Sequence, residues 1–410
     1  MSDPVRSLIA SAVLFCALSA AAAAQSLTEA EAVARFEREN ARLKGIAARV
    51  REDKAEARSW SLAANPEVTF AREDAAGTID TFLYVGQSVP LSGRLGLLRR
   101  AGDSASRSAE ARGRFEAFEA LSDLKTAFYE LLLAQEKAAL IEGWLGQFRD
   151  FVRILREREK ENDVSRFDRL RAERELADAE SEAAAFHIDL LRAKSRLGAF
   201  FGANQPTASL TAEGDFSSAG TLPPMEEVLE KSLAGRGDVQ SSALLTERFD
   251  LERRAAGRRL VPEPVVAVGM KKTELPGSSG QGLLLTVSLP VPLFNAGGAE
   301  GAKARAAAER SRAENETLKR DIAAQVSAAY EAVRLRRKLA GEYALNLGDK
   351  GAELSSIGRL AYEEGERGIL ELLDSSRLAL GSELRALGLA WAAKQAEIDL
   401  NRAVGEEVLK

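Results

Sequence analysis

"LTVSLPVPLFNAGG", residues 285–298, stands apart from its surroundings. Leu283, Leu285, Val287, Leu289 and Val291 alternate with Thr286 and Ser288, a period of two that predicts a strand with unlike faces. Pro290 and Pro292 lack amide donors and end the ladder, and Asn295 is placed to cap the helix that follows. About seventy residues of helix-forming sequence come next. The stretch therefore reads as a strand-to-helix junction.

The junction occurs twice. "SVPLSG", residues 88–93, carries Pro90 and Gly93, and "VPL" at 89–91 returns at 291–293. "AFYELLLAQEK" (127–137) answers "AAYEAVRLRRK" (328–338), "FDRLR" (167–171) answers "LDSSR" (373–377), and Leu197-Gly198 answers Val404-Gly405. The landmarks keep their order at offsets of 202, 201, 206 and 207, which two copies of one unit explain. Each copy reads as a helix (27–62, 225–259), a strand ("NPEVTF", "PEPVVAVGM"), a turn ("EDAAG", "TELPGSSGQG"), a second strand, and a long helical hairpin. The hairpins are predicted over 94–161 with 164–199, and over 296–364 with 369–409. At about 1.5 Å per residue the longer helices would reach on the order of 100 Å. Val326, Val333, Ala340, Leu347, Leu354 and Ala361 repeat every seven residues, as do Leu373, Leu380 and Leu387, giving coiled-coil seams. Gly143, Gly146, Gly348, Gly351 and Gly358 are expected to weaken the helices locally. The division that follows is 1–24 leader, 25–201 first repeat, 202–224 linker and 225–410 second repeat.

Residues 1–24 hold one Arg, an apolar run and an Ala tract, the layout of a secretory signal peptide. The only cysteine, Cys16, lies inside it, so the mature chain is expected to have no disulfide. Beyond it no stretch stays apolar for a helical span, so any membrane crossing must use strands. With 57 basic and 62 acidic residues and no long block of one sign, nucleic acid is excluded as a partner.

Four strands per chain cannot close a barrel, and an open edge in lipid leaves backbone groups unsatisfied. Strands that enter a membrane must then be pooled between subunits. The alternative is a periplasmic coiled-coil structural or adaptor protein whose strand pairs fold in solution without a membrane barrel.

The order of elements, with "SVPLSG", "VSLPVPLFNAGG", "AYEAV" and "AYEEGERGILELLDSSR" (361–377), resembles the TolC family of outer-membrane channels of tripartite efflux systems. The proline-rich second junction is similar to the subgroup that works with metal-cation exporters. The resemblance implies a mainly α chain with a small β part. Its two helical hairpins would join a coiled-coil α-barrel in the periplasm, and its four strands a shared, trimeric, twelve-stranded outer-membrane β-barrel. It implies a homotrimer in the outer membrane, reaching into the periplasm, with outer-membrane lipid, a periplasmic adaptor (membrane fusion protein) and an inner-membrane pump as partners. The family docks its adaptor at the hairpin tips, which here are Asn162, Asp163, Val164 and Ser165 in the first repeat and Tyr362, Gly365, Gly368, Ile369 and Leu370 in the second. The first tip departs from the pattern in having Asn162 and Asp163 where the family has a glycine and its neighbour, and Asn accepts the left-handed conformation better than most residues.

Catalytic chemistry is not indicated. His187, the only histidine, reads as an ordinary helix residue, and with no mature cysteine the usual zinc or copper site cannot be assembled in one subunit. "GSSGQG" lacks the Lys and helix of a phosphate loop, and no cofactor is expected. Glu363, Glu364 and Glu366 form, by symmetry, candidate charge rings at a pore entrance, with Arg367 a candidate gating partner.

Overall fold

The computed structural model describes residues 25–202, 209–217, 220–347 and 350–409. The leader and Cys16 lie outside the described residues. The chain falls into two compact units. One combines residues 25–43 with Phe118–Val228 and 325–409, and the other Lys44–Ala117 with Leu229–Ala324.

The second unit carries a four-stranded sheet: β2 (Glu67–Ala75), β3 (Thr78–Ser88), β5 (Val265–Leu275) and β6 (Ser278–Ser288), in the order β2-β3-β5-β6, antiparallel throughout. The first hairpin turns on Ala76 (φ 52) and Gly77 (φ 79), both left-handed as a two-residue type I′ turn requires. The second turns on Pro276 and Gly277 (φ 87), where proline presets the first position and only glycine suits the next. This turn is shorter than the sequence suggests. Ser278 to Gly282 pair in the ladder opposite Leu275 to Lys271, because backbone pairing needs no β-forming side chains.

Strand alternation gives the sheet two unlike faces. Val68, Phe70, Leu83, Val85, Val268 and Met270 share one face with Leu283, Leu285 and Val287, and all are exposed. The next row toward the turns on this face is Arg72, Thr81, Lys272 and Gln281. The opposite face has Thr69, Tyr84, Gly269 and Leu284 in one row. Gly269 is required there, since a Cβ would meet the Leu83 carbonyl and Tyr84.

Helices of this unit meet through small residues, Gly102 against Ala57, Gly237 against Ala111 and Gly297 against Ala256. The expected helix over 27–62 is two, α1 (Glu29–Glu39) and α2 (Ala41–Ser59), because Asn40 adopts an extended conformation and accepts the Leu43 amide, 3.1 Å. The helix expected over 225–259 also breaks, into α5 (Met225–Gly235) and α6 (Gly237–Gly257), at an extended Arg236. Arg236 stacks on Phe115 of α3 (Arg94–Lys160), 4.6 Å from the ring centroid. Helix α7 (Gly298–Leu347) begins after Gly297, whose φ is 83. Asn295 is not its cap: it is too far upstream, and its carboxamide accepts the Gly297 amide in the turn, 3.3 Å. Gly93 (φ 71) does the same turning work before α3.

In the first unit α3 pairs with α4 (Arg166–Gly198), and α8 (Lys350–Glu363) with α9 (Ile369–Val404). Its core joins Phe36, Leu124, Phe128, Leu131, Leu197 and Leu210. Leu210 belongs to β4 (Leu210–Ala212), which pairs in parallel with β1 (Gln25–Leu27) inside the stretch that composition marks as linker. Gln135 of α3 clamps Ala212 through both its backbone groups, 2.7 and 3.0 Å, and Tyr330 holds the Pro223 carbonyl, 2.9 Å. Val326 and Val333 of the heptad seam are fully buried, but Leu354 is 50% exposed, as are neighbouring Ile357 and Leu360 at 55% and 56%; nothing among the described residues covers them. The Leu347 side chain and Gly348 lie outside the described residues. Gly143 and Gly146 sit within the unbroken α3. Gly351 and Gly358 are not bends but contact points: a Cβ on either would press on Ser382 or Ser375 of α9.

Candidate functional site

The two hairpin tips are built alike. At the first, the Asn162 amide donates to the Glu159 carbonyl (3.0 Å) and the Asp163 amide to Arg158 (2.9 Å). At the second, Gly365 donates to Tyr362 (3.1 Å) and Glu366 to Ala361 (2.9 Å). Asn162 has φ 60 and Gly365 φ 74, the left-handed residue that closes a helix with its last carbonyls satisfied. These equivalents stand 203 residues apart, so the offset of 206 between "FDRLR" and "LDSSR" does not hold at the tips.

The caps differ. Ser165 caps α4, its hydroxyl accepting the Asp168 amide at 3.1 Å and donating to the Asp168 carboxylate at 2.6 Å. Gly368, which starts α9, has no side chain to do this. Asp163 is clamped by Arg158 through two bonds, 3.0 and 2.8 Å, and this carboxylate beside it pushes the Arg158 guanidinium pKa up. Val164 packs against the cluster of Phe148, Val152, Leu155, Ile369 and Leu373.

That cluster brings the two hairpins together. Ile369 is 4% exposed, whereas Leu370, next to it, is 46% exposed. Tyr362 meets Phe151 edge to face with centroids 5.7 Å apart. Burial pushes its phenol pKa up, the Arg158 charge opposes this, and Asp168 and Asp163 add to it. Trp144 stacks on Phe148 at 4.7 Å and donates to the Ser376 hydroxyl of α9, 2.9 Å. Arg377 of α9 pairs with Glu175 of α4. Trp144, Phe148 and Phe151 lie four and three residues apart on α3, one helix face. This spacing is visible in the sequence, but the Arg377–Glu175 and Trp144–Ser376 contacts join distant segments and leave no local signal.

Glu363, Glu364, Glu366 and Arg367 are exposed at the second tip. Among the described residues Arg367 forms no ion pair within the chain, and its backbone amide donates to Ala361, 3.1 Å. His187 donates from Nδ1 to the Ala183 carbonyl, 2.9 Å, as a helix residue with its own backbone for partner. Among the described residues no group of three or more His, Cys, Asp or Glu converges as a metal site, and no helix is long and apolar enough to cross a membrane.

At the junctions Pro90 and Pro290 lie just past the strand ends at Ser88 and Ser288, with Pro292 beyond. The Val89 amide still reaches Pro264, 2.8 Å, and Leu91 and Leu293 donate to Val89 and Val291, each 2.9 Å. The second junction has four more residues before its helix than the first.

No protein-family model matches the chain. A curated relative, the cobalt-zinc-cadmium resistance protein CzcC of Cupriavidus metallidurans, is 25% identical over 287 residues, 68% of this chain and 66% of that protein. The chain thus matches just under two thirds of that relative's length. Among solved structures it is similar to CusC, described in connection with transmembrane channel formation, with TM-score 0.77 and 17% identity over 92% of each chain. It is similar too to the Campylobacter jejuni CmeC outer membrane channel, with TM-score 0.76 and 13% identity over 93% of this chain and 87% of that one.

Proposed function

We infer that this chain, which has the fold of the TolC-family outer-membrane factors, is the outer-membrane channel subunit of a tripartite efflux system. The observation that carries this reading is the sheet. Its strands of nine and eleven residues suit a tilted membrane crossing, one face is apolar and exposed, and β2 and β6 have free edges. Three antiparallel steps separate β2 from β6, so they run in opposite directions. The β6 of one copy can pair with the β2 of the next and continue the alternation. Three copies close the ring, and no edge is left in lipid. The uncovered stripe of Leu354, Ile357 and Leu360 on α8 supports the same pooling of helices, with a second copy as its cover. A soluble coiled-coil protein has no use for an exposed apolar sheet face.

In this reading the protein is a passive duct with no catalytic step of its own, and a pump and periplasmic adaptor supply direction. The adaptor meets the tips, Asn162 to Ser165 and Tyr362 to Leu370, whose bonded backbones present Asp163, Leu370 and the three glutamates to a partner. The match to CzcC favours divalent cobalt, zinc or cadmium as exported ions. Glu363, Glu364 and Glu366, tripled by symmetry, would favour cations at the entrance, with Arg367 available to a neighbouring subunit's carboxylate.

Fractionation tests the main reading: the protein should sediment with outer membranes, need detergent and run as a trimer. A soluble periplasmic monomer overturns it. Planar-bilayer conductance tests the entrance: Arg367→Ala should widen opening, and unchanged opening and ion selectivity remove Arg367 from gating.

A further inference from the structure

Exposed apolar side chains continue past the strand ends. Leu62, Leu91, Leu260, Leu293 and Phe294, all in the junctions, are exposed, Phe294 at 102%. One turn or so into the helices the chemistry changes. Arg58, Arg99, Arg100, Arg254 and Arg258 are exposed and have no carboxylate partner among the described residues. Deeper in the same unit guanidiniums are paired, Arg107 with Glu247 and Arg312 with Asp250.

Two of the unpaired cations share a groove. Arg58 of α2 and Arg99 of α3 line an open cavity of about 540 Å³ together with Ser61, Ser106 and Asp103. Its floor is fixed where Gly102 lets α3 approach α2, since a Cβ there would lie 2.6 Å from the Ala57 carbonyl. At its far end Lys54 and Glu110 satisfy each other. Arg99 and Asp103 stand four residues apart on one helix, the spacing of an ordinary ion pair, yet do not pair. Both charges stay available to a ligand.

The order from the strands is specific. Exposed Leu62 and Leu91 precede the groove in the junctions, and within it come Arg58 and Arg99, then Asp103 one turn, about 6 Å, farther along α3 from the strands. A phospholipid with an ethanolamine headgroup has the same order: acyl chains and glycerol, phosphate, then ammonium. Guanidinium forks bind phosphate oxygens in pairs, and a carboxylate accepts from the ammonium. We propose that the groove between α2 and α3 binds the phosphoethanolamine headgroup of a phospholipid in the periplasm-facing leaflet of the outer membrane. The proposal rests on the outer-membrane channel reading. It gives the chain a fixed depth in the bilayer, with the apolar junctions inside and the arginines at the phosphate level.

Native mass spectrometry of the full-length protein, released from detergent after exchange with phosphatidylethanolamine, phosphatidylglycerol, phosphatidylcholine or inorganic phosphate, tests it. Phosphatidylethanolamine should be retained best. Arg58→Ala with Arg99→Ala should lower retention of it and of phosphatidylglycerol about tenfold, while Arg58→Lys with Arg99→Lys keeps part. Asp103→Asn should lower phosphatidylethanolamine and leave phosphatidylglycerol unchanged. Equal retention by the wild type and the double alanine variant, with trimers intact in both, overturns the headgroup site alone, as does displacement by inorganic phosphate at equal concentration. A wild type that forms no trimer and does not sediment with outer membranes overturns the channel reading on which the site depends.

Discussion

Asn162 takes the place at the first tip that Gly365 takes at the second, and it does so at φ 60, where a Cβ is a burden. Asn162→Gly should therefore be neutral or slightly stabilising, and Asn162→Ala should cost about 1 kcal/mol locally. Amide hydrogen exchange over residues 158–168 reads the difference, and equal protection in the two variants would show that the tip is held by other contacts. A second residue-level test concerns acid. Burial pushes the Glu29 carboxyl up, but hydrogen bonds from Lys125 and Tyr129 and the Lys125 charge outweigh it, so its pKa lies below the ordinary 4.5. A depressed carboxylate contributes stability that is present above its unfolded pKa and lost as pH falls through the folded one. Lys125, whose pKa is raised by Glu29 and Glu407 against burial, contributes below its ordinary 10.5 and loses that only at higher pH. The window of full stability thus runs from about pH 5 to about pH 10. Glu29→Gln should lower the melting temperature at pH 7 and flatten its fall between pH 5 and pH 3. A variant as acid-sensitive as the wild type would place the effect elsewhere.

At the scale of elements, the sheet makes opposite demands on adjacent residues. Leu285 is on the exposed apolar face and Thr286 on the other, one residue along β6. If the apolar face meets lipid, Leu285→Lys should cost about 2–4 kcal/mol of membrane stability, while Thr286→Lys, turned inward, should be tolerated. The yield of heat-resistant trimers separates the two, and equal loss in both would mean that the faces are wrongly assigned. Gly269→Val is a stricter demand on the same sheet. Its side chain would enter the space of the Leu83 carbonyl and Tyr84, so β5 must leave β3, and no trimer is expected. The strand pairs and both junctions were legible in the alternation and prolines of 285–298. The ends of elements were less so: the second hairpin turn is two residues, not the length its Gly and Ser suggest, since ladder pairing depends on backbone partners in the other strand.

For the whole molecule, what could be read in advance was what repeats. Two hairpins, two strand pairs and two tips were legible because each copy carries its own local pattern. The breaks at Asn40 and Arg236 and the β1–β4 pair were not, because each depends on a distant partner: Phe200 for the Asn40 amide, 2.9 Å, Phe115 for Arg236, and Gln135 for Ala212. The contacts that join the hairpins at the tips are of this kind too. Trp144 bonds Ser376, Arg377 pairs with Glu175, and Tyr362 rests on Phe151, so any opening that separates the second hairpin from the first must break all three. The exposed Arg377–Glu175 pair contributes little alone, whereas the half-buried indole bond and ring contacts contribute about 1 kcal/mol each. Trp144→Phe keeps the ring stack and removes the bond, so it should raise the open probability a few-fold, and with Glu175→Gln more. Single-channel recordings measure this directly. If the double variant opens no more often than the wild type, the two hairpins move as one body, and opening must take place between subunits instead.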